Sequence, residues 1–242
     1  MKRTIWIVLL AALAFAAIVI ARIPAAWILP SGTAGCASLD GSLWSGTCLG
    51  LTVSGKPVGD VSWDLHPWRL FAGKLAAAVT LTHGVAEASG DVEVGLGGTI
   101  TARHILADLP LDPQLVPGVP PGLHGRAHLE LSQVSLQHGI VRQLEGRIEA
   151  HDLEERTSAN TALGSYVISF PGGSGDPIGK IRDLDGPLAV EGTLHLTAAP
   201  GFELEGFVAP RQGAAPEVVN NLRFFGSPDA TGRREFSMSG TF

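Results

Sequence analysis

His124 and His128 stand four residues apart in LHGRAHLEL, a spacing that puts both rings on one face of a strand with room for a metal ion between them. A zinc site needs three or four ligands, and nothing nearby supplies a convincing third. Alternating with Leu123, Ala127 and Leu129, the two read equally as solvent-facing strand residues. Asp176, Asp183 and Asp185 lack the ligand density of a calcium loop and read as turn formers. GLGGTI at 95–100 opens like a dinucleotide fingerprint, but Ile100 stands where the third glycine belongs and no helix follows. SGDPIGK at 174–180 has Ser174 for the first P-loop glycine and is followed by Ile181 instead of Ser or Thr. GGSGD at 172–176 ends on Asp176, where a hydrolase nucleophile elbow needs glycine. Trp44, Trp63 and Trp68 suit core filling or partner contact better than a sugar platform. These residues point to no catalytic, cofactor-binding or metal site and no small-molecule substrate; the expectation is a protein that is not an enzyme.

Cys36 and Cys48 are the only cysteines. In an oxidising compartment they read as a disulfide closing a short loop, worth about 3 kcal/mol; two buried free thiols are the other reading. Their spacing is not CxxC, and two thiolates cannot complete a tetrahedral zinc site.

The compartment follows from residues 5–21, IWIVLLAALAFAAIVIA, which hold no charge, glycine or proline. As a helix the stretch rises about 26 Å, close to the hydrocarbon thickness of a bilayer. Lys2 and Arg3 precede it, Arg22 follows, and Trp27 is placed like an interfacial anchor. The excess of positive charge before the stretch keeps the N-terminus cytoplasmic and exports the rest. A cleaved signal peptide shares these features, but the apolar region is long and IPA at 23–25 is a poor cleavage site. The expected organisation is a cytoplasmic 1–4, a transmembrane anchor at 5–23 and an exported β-rich domain at 24–242. Membrane lipid is then a partner through the anchor. A net charge of −6 without a Lys/Arg run argues against nucleic acid.

Beyond the anchor, 31 glycines and 16 prolines over the whole chain suit short strands joined by turns. Residues 39–44 read as a strand, Ser45-Gly46 as a turn, and Leu49, Leu51 and Val53 as the returning strand. Pro67 breaks the alternation of Val61, Trp63 and Leu65, and a strand resumes at 75–81. Residues 107–122, rich in proline and without a period, read as a connection between two halves. The polar 154–162 reads as an exposed loop. PEVVNNLRFFGS, 216–227, is the one short helix expected outside the anchor, and the chain closes on a strand. A hydrophobic residue followed two positions on by glycine recurs in LDG (39–41), FAG (71–73), LHG (123–125), LEG (144–146 and 204–206) and LDG (184–186). Strands entered through a glycine that permits a bulge or bend predict a mainly β, curved antiparallel sheet.

The anchor, LDGSLWSG at 39–46 and GDVSWDLHPWRLFAGKL at 59–75 resemble protein N of the bacterial type II secretion system. ADLPL (107–111), LEGRIEA (144–150), LGSY (163–166), LDGPLAVEGTL (184–194) and FGSPDATGRREFSMSG (225–240) follow in the same order. The resemblance implies a non-enzymatic accessory or scaffold protein with a single inner-membrane anchor and a periplasmic β-rich domain. It would contact other secretion components, such as the outer-membrane secretin and the inner-membrane platform. The same rhythm also looks like the AsmA/TamB type of periplasmic protein, whose curved sheets form lipid-carrying grooves. A groove needs both strand faces apolar and a scaffold only one; VEVGLGG and LHLTAAP each carry one polar face, which favours the scaffold.

Overall fold

Alternation of apolar and polar residues commits each segment to a strand with two unlike faces, and glycine turns return the chain antiparallel to itself. The computed structural model describes residues 22–25, 34–53, 55–113, 119–156, 160–173, 175–197 and 201–241. Lys2, Arg3, Trp27 and the stretch 5–21 lie outside the described residues. Among those described, no helix is long and apolar enough to cross a membrane.

The first strands are β1 (Ala34–Gly35), β2 (Ser38–Gly41), β3 (Ser45–Val53), β4 (Lys56–Leu65), β5 (Lys74–Thr82), β6 (Glu87–Gly95) and β7 (Thr99–Leu111). There follow β8 (Leu123–Gln137), β9 (Ile140–Glu155), β10 (Thr161–Pro171), β11 (Ile178–Asp185), β12 (Leu188–Thr197), β13 (Gly201–Pro210) and β14 (Arg234–Thr241). They form one curved antiparallel sheet in which β3 to β14 pair in sequence order, with β1 and β2 both on the outer side of β3. Helix α1 (Pro216–Asn221) runs into a 3-10 turn at Leu222–Phe225, within the predicted 216–227.

Several local boundaries differ from expectation. The tight turn is Ser42–Trp44, and Ser45 and Gly46 already belong to β3. The Ser42 hydroxyl accepts the N–H groups of Trp44 and Ser45 and so closes the turn. The segment 107–122 begins inside β7, where Leu109, Pro110 and Leu111 pair with Ala127, Arg126 and Gly125 of β8. Pro110 lies past Asp108, the last β7 residue that pairs with β6, so β7 is an edge on that side and tolerates proline. Of the recurrent glycines, Gly41 and Gly186 flank strand ends, whereas Gly146 and Gly206 sit in the middle of β9 and β13.

The sheet is one layer. Strands pack on their sheet neighbours, the 3-10 helix Pro67–Ala72 lies against β5, and the Leu222–Phe225 turn lies against β14. With no second layer, no large side chain among the described residues is fully enclosed. Shielding comes instead from side chains lying over neighbouring strands. Gly192 and Gly206 face each other across β12 and β13 with the Phe236 ring above; a Cβ on Gly206 would meet that ring at 2.8 Å. Trp63 covers Gly46 in the same way, 2.5 Å from where its Cβ would be, and donates its indole N–H to the Leu43 carbonyl.

Candidate interaction surfaces

Directly paired residues in an antiparallel sheet share a face, so the register assigns both faces without ambiguity. One row runs Leu39, Cys48, Val61, Leu81, Ala88, Ala107, Leu129, Ile148, Ile168, Ile181, Gly192, Gly206, Phe236. Every member is apolar or glycine. The row one residue over runs Asp40, Thr47, Ser62, Thr80, Ser89, Leu106, Glu130, Arg147, Ser169, Lys180, Thr193, Glu205, Ser237. Leu106 is its sole apolar member. Each row spans about 58 Å at the usual strand spacing.

Cys36 and Cys48 are bonded, with Cα atoms 5.5 Å apart. Cys48 lies buried in the apolar row, so the bridge ties the edge of the sheet to its packed side. Arg22 is exposed.

The polar face carries Glu93 and the histidine–carboxylate pairs. Glu93 is the one charged side chain in the buried class among the described residues. The Lys74 ammonium lies 2.6 Å from it, with Arg69 and Arg103 at 3.6 and 3.9 Å, and the Lys74 hydrogen bond holds its carboxyl below the usual value. Four histidines pair with carboxylates: His83 with Asp60, His104 with Asp91, His128 with Asp108 and Glu130, and His151 with Glu149. Hydrogen bonds to Asp108 and Glu130 raise the His128 pKa. His124 shares the face with His128, but its Nδ1 lies 3.0 Å from the Gly122 carbonyl oxygen, whereas His128 bonds to Asp108 and Glu130. No group of three metal-ligating side chains gathers among the described residues.

Asp183 corrects the turn-former reading: it lies inside β11, accepts the Val190 N–H at 2.7 Å and pairs with Arg211. Asp176 and Asp185 lie in and beside connections. Burial pushes the neighbouring Tyr166 hydroxyl up to about 12 while it donates to the Leu163 carbonyl. In the loop before β14, Asp229 falls to about 2 because the Thr231 hydroxyl and the N–H groups of Thr231 and Arg233 bond to it. A hollow of about 580 Å³ opens on the polar face between β11 and β14. Its charges alternate in sign, with Lys180, Arg182 and Arg233 among Glu191, Glu205 and Glu235.

The tryptophans diverge. Trp63 shields the sheet, whereas Trp68 on the 3-10 helix is 79% exposed and does not fill a core. Sequence reasoning missed the company it keeps. Phe71 is 87% exposed with its ring 6.2 Å from that of Trp68, and Leu96, 93% exposed, lies over Gly73 beside them. The available signal was WRLF, three large apolar residues around Arg69 placed directly after Pro67, where a strand cannot continue.

The family model described as type II secretion system, protein N, matches residues 34–237. The type II secretion system protein N of Vibrio cholerae serotype O1 is 25% identical over 215 residues, covering 84% of this chain and 82% of that protein. The protein of the same name from Aeromonas hydrophila is 24% identical over 256 residues, covering 96% of each. No solved structure matches the chain.

Proposed function

The chain belongs to the type II secretion system protein N family, and from that premise we propose that it is a non-enzymatic adaptor of the secretion apparatus. The helix at 5–21 fixes it in the inner membrane with Lys2 and Arg3 in the cytoplasm, Arg22 and Trp27 at the far interface and the sheet in the periplasm. Its sheet edges and exposed apolar residues engage the outer-membrane secretin or the inner-membrane platform. The observation that carries this reading is the one-layer sheet, a wide scaffold with two chemically distinct faces. The Cys36–Cys48 bond supports an oxidising compartment. A row polar at every position but Leu106 on one face, together with two relatives named protein N, favours the adaptor over a lipid-carrying groove.

Deleting the gene in its own host tests this. The expected outcome is a type II cargo retained in the periplasm, with export restored by the wild-type chain. Unchanged export would contradict the adaptor role.

A further inference from the structure

Antiparallel order places every second connection at the same end of the sheet. The Ser42–Trp44 turn, the helix Pro67–Ala72 and the turn at 96–98 all lie at one end, because Ser45 pairs with Asp64 and Lys74 with Gly95. The chain arrives at that same end from the N-terminal apolar stretch. Ile23 accepts the Leu43 N–H at 2.8 Å, Pro24 bridges to Ser42, and Ala25 is buried. Trp68, Phe71 and Leu96 project there, and Leu75, Val94 and Ile100, paired in a row at the adjoining rim of the apolar face, are also exposed. Arg69 and Lys74 flank them. Exposed Trp, Phe and Leu with basic neighbours is the composition of a surface that lies in a membrane interface.

We propose that Trp68, Phe71 and Leu96 form a foot that enters the headgroup region of the bilayer crossed by residues 5–21, setting the strands upright on that membrane. The inference rests on the anchored reading above. It names lipid as the occupant because the chain leaves the apolar stretch beside these residues, so a bilayer is the nearest apolar phase. Pro67 starts the helix and the left-handed Gly73 ends it, so the backbone that carries the two rings is shaped before insertion.

The full-length chain, reconstituted in phosphatidylethanolamine and phosphatidylglycerol vesicles with brominated acyl chains, tests it. The difference in emission between wild type and Trp68→Phe isolates Trp68 from the other four tryptophans. The foot predicts that this component is quenched by brominated lipid and protected from aqueous acrylamide. It also predicts that Phe71→Ser with Leu96→Ser lowers the lipid quenching. Both residues are exposed, so the fold is expected to survive, and an unchanged β-sheet circular dichroism spectrum checks this. A Trp68 component quenched by acrylamide and untouched by brominated lipid overturns the foot. An alkaline carbonate wash reads the anchor separately. Retained chain with unquenched Trp68 refutes the foot alone, and released chain that had a lipid-quenched Trp68 refutes the anchor alone.

Discussion

The row from Leu39 to Phe236 and the row from Asp40 to Ser237 cross the same thirteen strands one residue apart, yet they are built to different rules. The apolar row carries the packing. It holds the buried Cys48, and the buried Phe170 and Val208 lie on the same face. The polar row is tied by exposed hydrogen bonds and ion pairs, which contribute little each. A one-layer sheet therefore behaves like half a sandwich: side chains on one face lean over neighbouring glycines to replace the missing second layer.

The largest test of that difference is Phe170→Ala, expected to cost roughly 3 kcal/mol in urea unfolding. Ser169→Ala, its neighbour on the polar face, should stay within about 0.5 kcal/mol. Equal effects would break the comparison. Cys36→Ser with Cys48→Ser removes the staple on the apolar side and is expected to lower stability by about 3 kcal/mol, read as a lower thermal midpoint. Leu106→Ser tests the one apolar intruder in the polar row. At 53% exposure it should change stability by less than about 0.5 kcal/mol, and a larger loss would show that something covers it.

The smallest effect is a pH dependence on the polar face. Because Asp108 and Glu130 raise the His128 pKa above 6.5, its contribution is fully present below that value and is lost as pH rises through the raised pKa. An NMR titration should find its midpoint above 6.5, moving down in Asp108→Asn. Glu93 has the opposite sign. Its lowered pKa gives stability that is present above 4.5 and lost as pH falls through the folded value.

The two rows were legible in the sequence as alternation, and so were the disulfide partners and the short helix near 216. Less legible were features set by neighbours in space. Nothing local says that Ser42 rather than Ser45 begins the turn; that depends on Gly41 meeting Gly46 across the hairpin. Pro110 looked like a strand breaker because its tolerance depends on where β6 stops. Trp68 read as either core filling or partner contact, and no local signal decided between them because exposure at a strand end is a property of the sheet as a whole. The His–carboxylate pairs range from neighbours on one strand, His151 with Glu149, to residues on separate strands and turns, His83 with Asp60, so no single sequence spacing announces them.

The central claim is that this sheet serves as an adaptor. In-cell cross-linking of the tagged full-length chain, followed by identification of attached proteins and co-purified lipid, tests it most directly. The account predicts recovery of the outer-membrane secretin or the inner-membrane secretion platform without enriched lipid beyond that around the anchor. Stoichiometric phospholipid with no secretion component would contradict it.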